Sequence, residues 1–149
     1  MNAAQPVRRV PFPLLDQRPA VLDGVLLDFH WDLERLHSLV LPERDVETAS
    51  LLWHLGLPFW SAGGSPFRAS PFDVASEPSA HPEQWERTMS ADLGYPLETY
   101  ERDDGCLVIL DGVLRLLKAR IEGRPVLRAR VLAVEDFDAI AVIDADGGN

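Results

Sequence analysis

Between Cys106 and Leu132 the spacing of apolar positions changes period twice, and the elements of the chain are read most clearly there. Cys106-Leu107-Val108-Ile109-Leu110 is a continuous apolar run of strand length that ends at Asp111-Gly112. After the glycine, Val113, Leu114, Leu116, Leu117 and Ile121 fall on one broad helical face, with Arg115, Lys118 and Glu122 on the other. Gly123 stands where a helix ends in the left-handed conformation, and Arg124-Pro125 is a stop signal, so a helix is predicted over 113–122. Val126 to Val131 then alternates and reads as a strand. Upstream, Leu97 to Tyr100 is a further strand. Glu101-Arg102-Asp103-Asp104-Gly105 ends in Asp-Gly and should close a hairpin onto Cys106–Leu110.

The rest of the chain is less regular. Residues 1–20 are rich in proline (Pro6, Pro11, Pro13, Pro19) and predict an extended, partly mobile arm. Val21 to Phe29 is apolar around Asp23-Gly24 and suggests two short strands or a turn. Asp28 or Asp32 is placed to cap a short helix carrying Leu33, Leu36 and Leu39, which Pro42 terminates. Glu43 to Val46 leads into a helix expected over 47–55, ended by Gly56 and Pro58. The Gly63-Gly64-Ser65 turn, flanked by Phe59, Trp60 and Phe67 and ending in Arg68, is an aromatic-pinned turn or a substrate loop. Ser70-Pro71 starts a short helix, with Ser at the N-cap and Pro at the first helical position. A longer helix is expected from Ser79 through Trp85 and Leu93 to Gly94. Glu135-Asp136-Phe137 suggests a last helical turn, Val142-Ile143 is apolar, and 144–149 reads as a fraying tail. The domain is therefore expected over 21–143, as a mixed α/β (α+β) fold with a small mixed sheet and surrounding helices.

Composition narrows the class. The chain has 149 residues and is 46% hydrophobic, which suits one domain. Such a domain buries about 70% of its unfolded surface. No apolar run reaches the roughly 18 residues of a membrane span. No apolar stretch follows Arg8-Arg9 in the manner of a signal peptide, so a cytoplasmic protein is expected. The single cysteine excludes an intrachain disulfide framework and a cysteine zinc site, and Cys106 is expected to be buried and unreactive. His30 and His37 are seven apart rather than the four typical of helical metal pairs, and they read as surface or packing residues.

The formal charge of −10 weighs against binding a nucleic-acid backbone unless basic residues cluster. Arg115, Lys118, Arg120, Arg124, Arg128 and Arg130 do cluster, but they suit one small anion better than a duplex. The free N–H groups at the start of the helix after Gly112 make a natural anion site, to which Arg115 can add charge.

The run Ile109-Leu110-Asp111-Gly112-Val113-Leu114-Arg115-Leu116-Leu117-Lys118-Ala119, followed by Gly123 and a basic strand, resembles the signature of the ParB/sulfiredoxin-like superfamily. It is most similar to small bacterial ParB-like proteins without a settled activity, and Trp53 to Trp60 resembles the same subgroup. The resemblance covers about 91–132 and implies a compact α/β domain whose helix N-terminus holds nucleotide phosphate. It also assigns roles. Gly112 permits close backbone approach. Arg115 offers a planar, permanently charged fork, and Lys118 follows one turn later. Asp111 orients Arg115, holds a metal-bridged phosphate, or simply caps the helix.

The departures limit the chemistry. Val113 and Leu114 stand where sulfiredoxins carry a reactive Cys and a His, so sulfinic-acid reduction is not expected. The Glu-Arg-Arg of partitioning proteins is missing at this turn, and only a short acidic end follows the last strand, so chromosome partitioning is not expected either. Small ParB-like relatives should have His where Leu114 stands, which weakens a phosphate contact. Two readings follow. One is a nucleotide- or phosphate-binding domain with a concave site above Gly112 lined by Arg115, His54 or Arg68, where Mg²⁺ could accompany the nucleotide. The other is a non-catalytic scaffold whose Trp53 and Trp60 bind a protein partner.

Overall fold

A computed structural model describes residues 8–143 of the chain. Its strands are β1 (Glu43–Glu47), β2 (Trp60–Ala62), β3 (Ser65–Ala69), β4 (Leu97–Glu101), β5 (Leu107–Asp111) and β6 (Val126–Ala133). Its α-helices are α1 (Leu33–Ser38), α2 (Pro71–Ser76), α3 (Pro82–Met89) and α4 (Val113–Glu122). A four-stranded mixed sheet in the order β1-β6-β4-β5 organises the fold, which is mixed α/β, and β2 and β3 form a separate hairpin.

The period switch at Gly112 is real. The chain leaves β5 at Asp111, turns at Gly112 (φ 120°, ψ 15°) and enters α4 at Val113. Gly123 closes the helix in the left-handed conformation, and β6 follows. β4 and β5 form the expected hairpin, turned at Gly105 (φ 83°). β6 returns on the other side of β4 and runs parallel to it.

The sheet separates two cores. On one face Leu97, Leu107, Ile109, Leu127 and Ala129 pack with Leu116, Leu117 and Ala119 of α4 and with Leu51 and Leu55. On the other, Tyr100, Val108, Leu110 and Leu132 pack with Val25, Leu27, Phe29, Leu36, Phe137 and Ile140. Residues on both sides of 20 join this second layer. Arg9 bridges Ile143, Pro11 bridges Phe29, and Trp31 bridges Ala141.

Local chemistry explains two of the helix starts. Asp32, not Asp28, caps α1, its Oδ1 accepting from the N–H groups of Glu34 (2.9 Å) and Arg35 (3.3 Å). Ser70 and Asp73 form a reciprocal capping box at α2, with Pro71 at its first position.

Four expectations need correction. Glu43–Glu47 is an edge strand rather than a lead-in to a helix. Only Val46 of its residues turns inward, so no alternation betrays it, and its charges suit an unpaired edge. The helix expected over 47–55 is a 3₁₀ helix, Thr48–Gly56. Of the two readings of 21–29 the turn holds, since a 3₁₀ turn at Ala20–Leu22 runs into a turn over 23–25 and Phe29 makes a single bridge. α3 ends at Met89 rather than Leu93, because Ser90 Oγ donates back to Glu86 O and Asp92 Oδ1 accepts from Gly94 N–H, which turns the chain. Cys106 precedes β5 and is half-buried rather than buried. The outermost parts of the expected arm and the tail, 1–7 and 144–149, lie outside the described residues.

Candidate functional site

The site begins with a register. Glu98 on β4 lies across from Asp111 on β5 and from Arg130 on β6, and Arg130 lies across from Glu43 on β1. A row of charge thus crosses the sheet at the end where α4 starts. Glu98 and Asp111 face each other only because the β4–β5 ladder slips between Glu98 and Thr99, skipping Leu110. Two carboxylates directly opposite repel, and one of them is buried, with 5% of the Glu98 side chain exposed. Such an arrangement needs positive partners.

Each carboxylate has one. Arg130 Nη1 donates to both Glu98 oxygens, at 2.7 and 2.9 Å, and its guanidinium also reaches the carbonyls of Leu36 and Leu39 at the end of α1. Arg115 Nη2 donates to Asp111 Oδ2 at 3.2 Å, and its Nη1 to Pro96 O at 2.6 Å. Between the two pairs stands His37. Its Nε2 lies 3.4 Å from Asp111 Oδ2 and 3.8 Å from Glu98 Oε2, and half of the side chain is exposed.

These five side chains form one wall of a cleft of about 990 Å³ at the N-terminus of α4. Gly112, Val113 and Leu114 bring the helix start into it, and Phe59, Trp60 and Tyr95 supply aromatic surface. Arg87 of α3 also lines it, with its side chain exposed and making no hydrogen bond or ion pair to any described residue.

The residues singled out in the sequence divide accordingly. Asp111, Gly112 and Arg115 do share this cleft. Asp111 orients Arg115 and does not cap the helix, since Gly112 occupies the N-cap without a side-chain bond. Gly112 is required by its own neighbours, because a Cβ there would stand 2.7 Å from Leu97 Cδ2 in a left-handed backbone. Arg115 is largely committed to the protein, with 17% of its side chain exposed. Lys118 points away, its Nζ donating to Ala91 O at 2.7 Å, and lines a smaller neighbouring depression with Asp92 and Glu122.

His54 and Arg68 do not line the cleft. His54 is fully buried under the edge strand β5, where its Nε2 accepts from the N–H of Ile109 at 3.1 Å and its Nδ1 bonds Leu51 O at 2.7 Å. It thereby satisfies a backbone donor that the edge of the sheet would leave unpaired. Burial pushes its pKa down from 6.5 to about 4, against an opposing pull from the Leu51 carbonyl. Arg68 is exposed on β3. Nor does the set suit a protein-held Mg²⁺: Asp111 is engaged by Arg115 and His37, and no metal-binding group of three acidic, His or Cys residues exists among the described residues.

Glu98, His37 and Arg87 were not foreseen as site residues. Glu98 alone carries a hint, an acid inside the otherwise uncharged strand Leu97-Glu98-Thr99-Tyr100. No protein-family model matches this chain, and neither the curated proteins nor the solved structures contain a significant match to it.

Proposed function

We propose that this chain is a ligand-binding domain whose cleft takes a small phosphate-containing ligand, in the first instance a nucleotide. The observation that carries the reading is the cleft itself. Its roughly 990 Å³ is at the upper end of the size usual for small-molecule sites, and it joins aromatic walls to an uncommitted arginine. Phe59, Trp60 and Tyr95 offer faces on which a base can stack. Arg87 offers a charge-assisted donor pair that no group among the described residues uses. The start of α4 adds N–H groups that attract phosphate, worth about 0.3–1 kcal/mol where exposed. Arg115 serves this site by fixing Asp111 and the β5–α4 turn more than by clamping the ligand.

The ParB/sulfiredoxin-like reading belongs to the same proposal, since it too places phosphate at this helix start. Membership in that superfamily would be tested by an experimental structure with nucleotide bound. The binding reading is tested by thermal-shift titration with the four nucleoside triphosphates and inorganic phosphate, each with and without Mg²⁺. A rise in melting temperature that Arg87→Ala abolishes supports it. An unchanged melting temperature at millimolar ligand contradicts it and favours a protein-binding role.

A further inference from the structure

The two acids beside the cleft are each already paired with an arginine, Glu98 with Arg130 and Asp111 with Arg115. The histidine is therefore surplus to the packing. It buries little, and α1 is anchored without it, through Asp32 at its start and Arg130 at its end. Yet its Nε2 is held between two carboxylates at the wall of the cleft beside the start of α4. When Nε2 carries its proton toward Asp111, Nδ1 is left as a basic nitrogen without a protein partner among the described residues. That is how a carboxylate fixes the tautomer and orientation of a catalytic imidazole.

We propose that His37 is the general base of a phosphoester- or phosphoanhydride-hydrolysing activity in this cleft, with Asp111 as its positioning residue. The proposal rests on the phosphate-ligand reading above. Nδ1 of His37 removes a proton from a water molecule as the water oxygen bonds to phosphorus. The bond from phosphorus to the leaving oxygen breaks. The imidazolium, held by Asp111 and balanced by Glu98, then gives its proton to bulk water, and the leaving oxygen, opposite the attacking water, takes a proton from bulk water. Water is consumed, and inorganic phosphate and an alcohol or a shortened phosphate chain are released. The arginines facing the histidine, Arg115 and Arg130, hold both carboxylates in place, while Arg87 meets the charge on the phosphoryl oxygens.

The test is hydrolysis of the four nucleoside triphosphates and of p-nitrophenyl phosphate, followed by ³¹P NMR, on the full chain and on His37→Gln. Calorimetric binding of the same compounds is measured in parallel. A positioned general base contributes about 10²- to 10⁴-fold. The expected result is a loss of kcat of about a hundredfold or more in His37→Gln, with KM within about threefold and the pH-dependent limb of the rate profile abolished. Binding without hydrolysis by the wild type, or equal hydrolysis by His37→Gln, overturns the catalytic role and leaves the ligand site standing. Absence of binding overturns both.

Discussion

Two residues set conditions that single substitutions reveal. His54 is neutral in the fold, with its pKa near 4, and is chargeable at about 6.5 once unfolded. Below pH 6.5 the unfolded chain therefore binds the extra proton. The stability that His54 confers is complete above that pH and is lost progressively as pH falls toward 4. The size is about 3 kcal/mol. Urea denaturation across this window should show that decline in the wild type, and a decline smaller by about that amount in His54→Gln, which cannot be protonated. Gly112 is constrained by sterics instead. Gly112→Ala meets both a positive φ and the Leu97 side chain, and should lose about 2–4 kcal/mol in the same assay.

At the scale of elements, the pair Arg130–Glu98 ties β6, β4 and the end of α1 together. Arg130→Ala leaves a buried carboxylate beside Asp111 and should destabilise by about 3–5 kcal/mol, measured by chemical denaturation. Adding Glu98→Gln should recover part of that loss, because the stranded charge is gone. The elements differ in how plainly the chain announces them. The unit β5, Gly112, α4, β6 was legible because a change of hydrophobic period coincides with a glycine, and because Gly123 and Pro125 punctuate its end. β1 was not, because an edge strand with one inward residue has no alternation to read. The length of α3 was not either, since side-chain bonds from Ser90 and Asp92 compete with the helix locally.

At the scale of the whole molecule, the site is a product of register. Asp111, Gly112 and Arg115 are near neighbours in sequence and could be read together. His37 stands 74 residues from Asp111, and Glu98 stands 32 from Arg130. A ladder slip at Leu110 decides which acids meet, and no periodicity encodes that. The same assembly pairs most arginines of the 115–130 cluster with acids. Arg115 pairs with Asp111, Arg124 with Glu122, Arg128 with Glu43 and Arg130 with Glu98, while Arg120 stays exposed without an ion pair among the described residues. In the cleft it is Arg87, on a different helix, that keeps its charge uncommitted. A charge-assisted bond to phosphate is worth about 1.5–3 kcal/mol, or roughly tenfold or more in affinity. The most direct test is calorimetric titration of the wild type and Arg87→Ala with nucleoside triphosphates. Binding by the wild type is expected, weakened at least about tenfold in Arg87→Ala with melting temperature unchanged. Equal affinity in the two proteins, or no heat from the wild type at millimolar ligand, would contradict it.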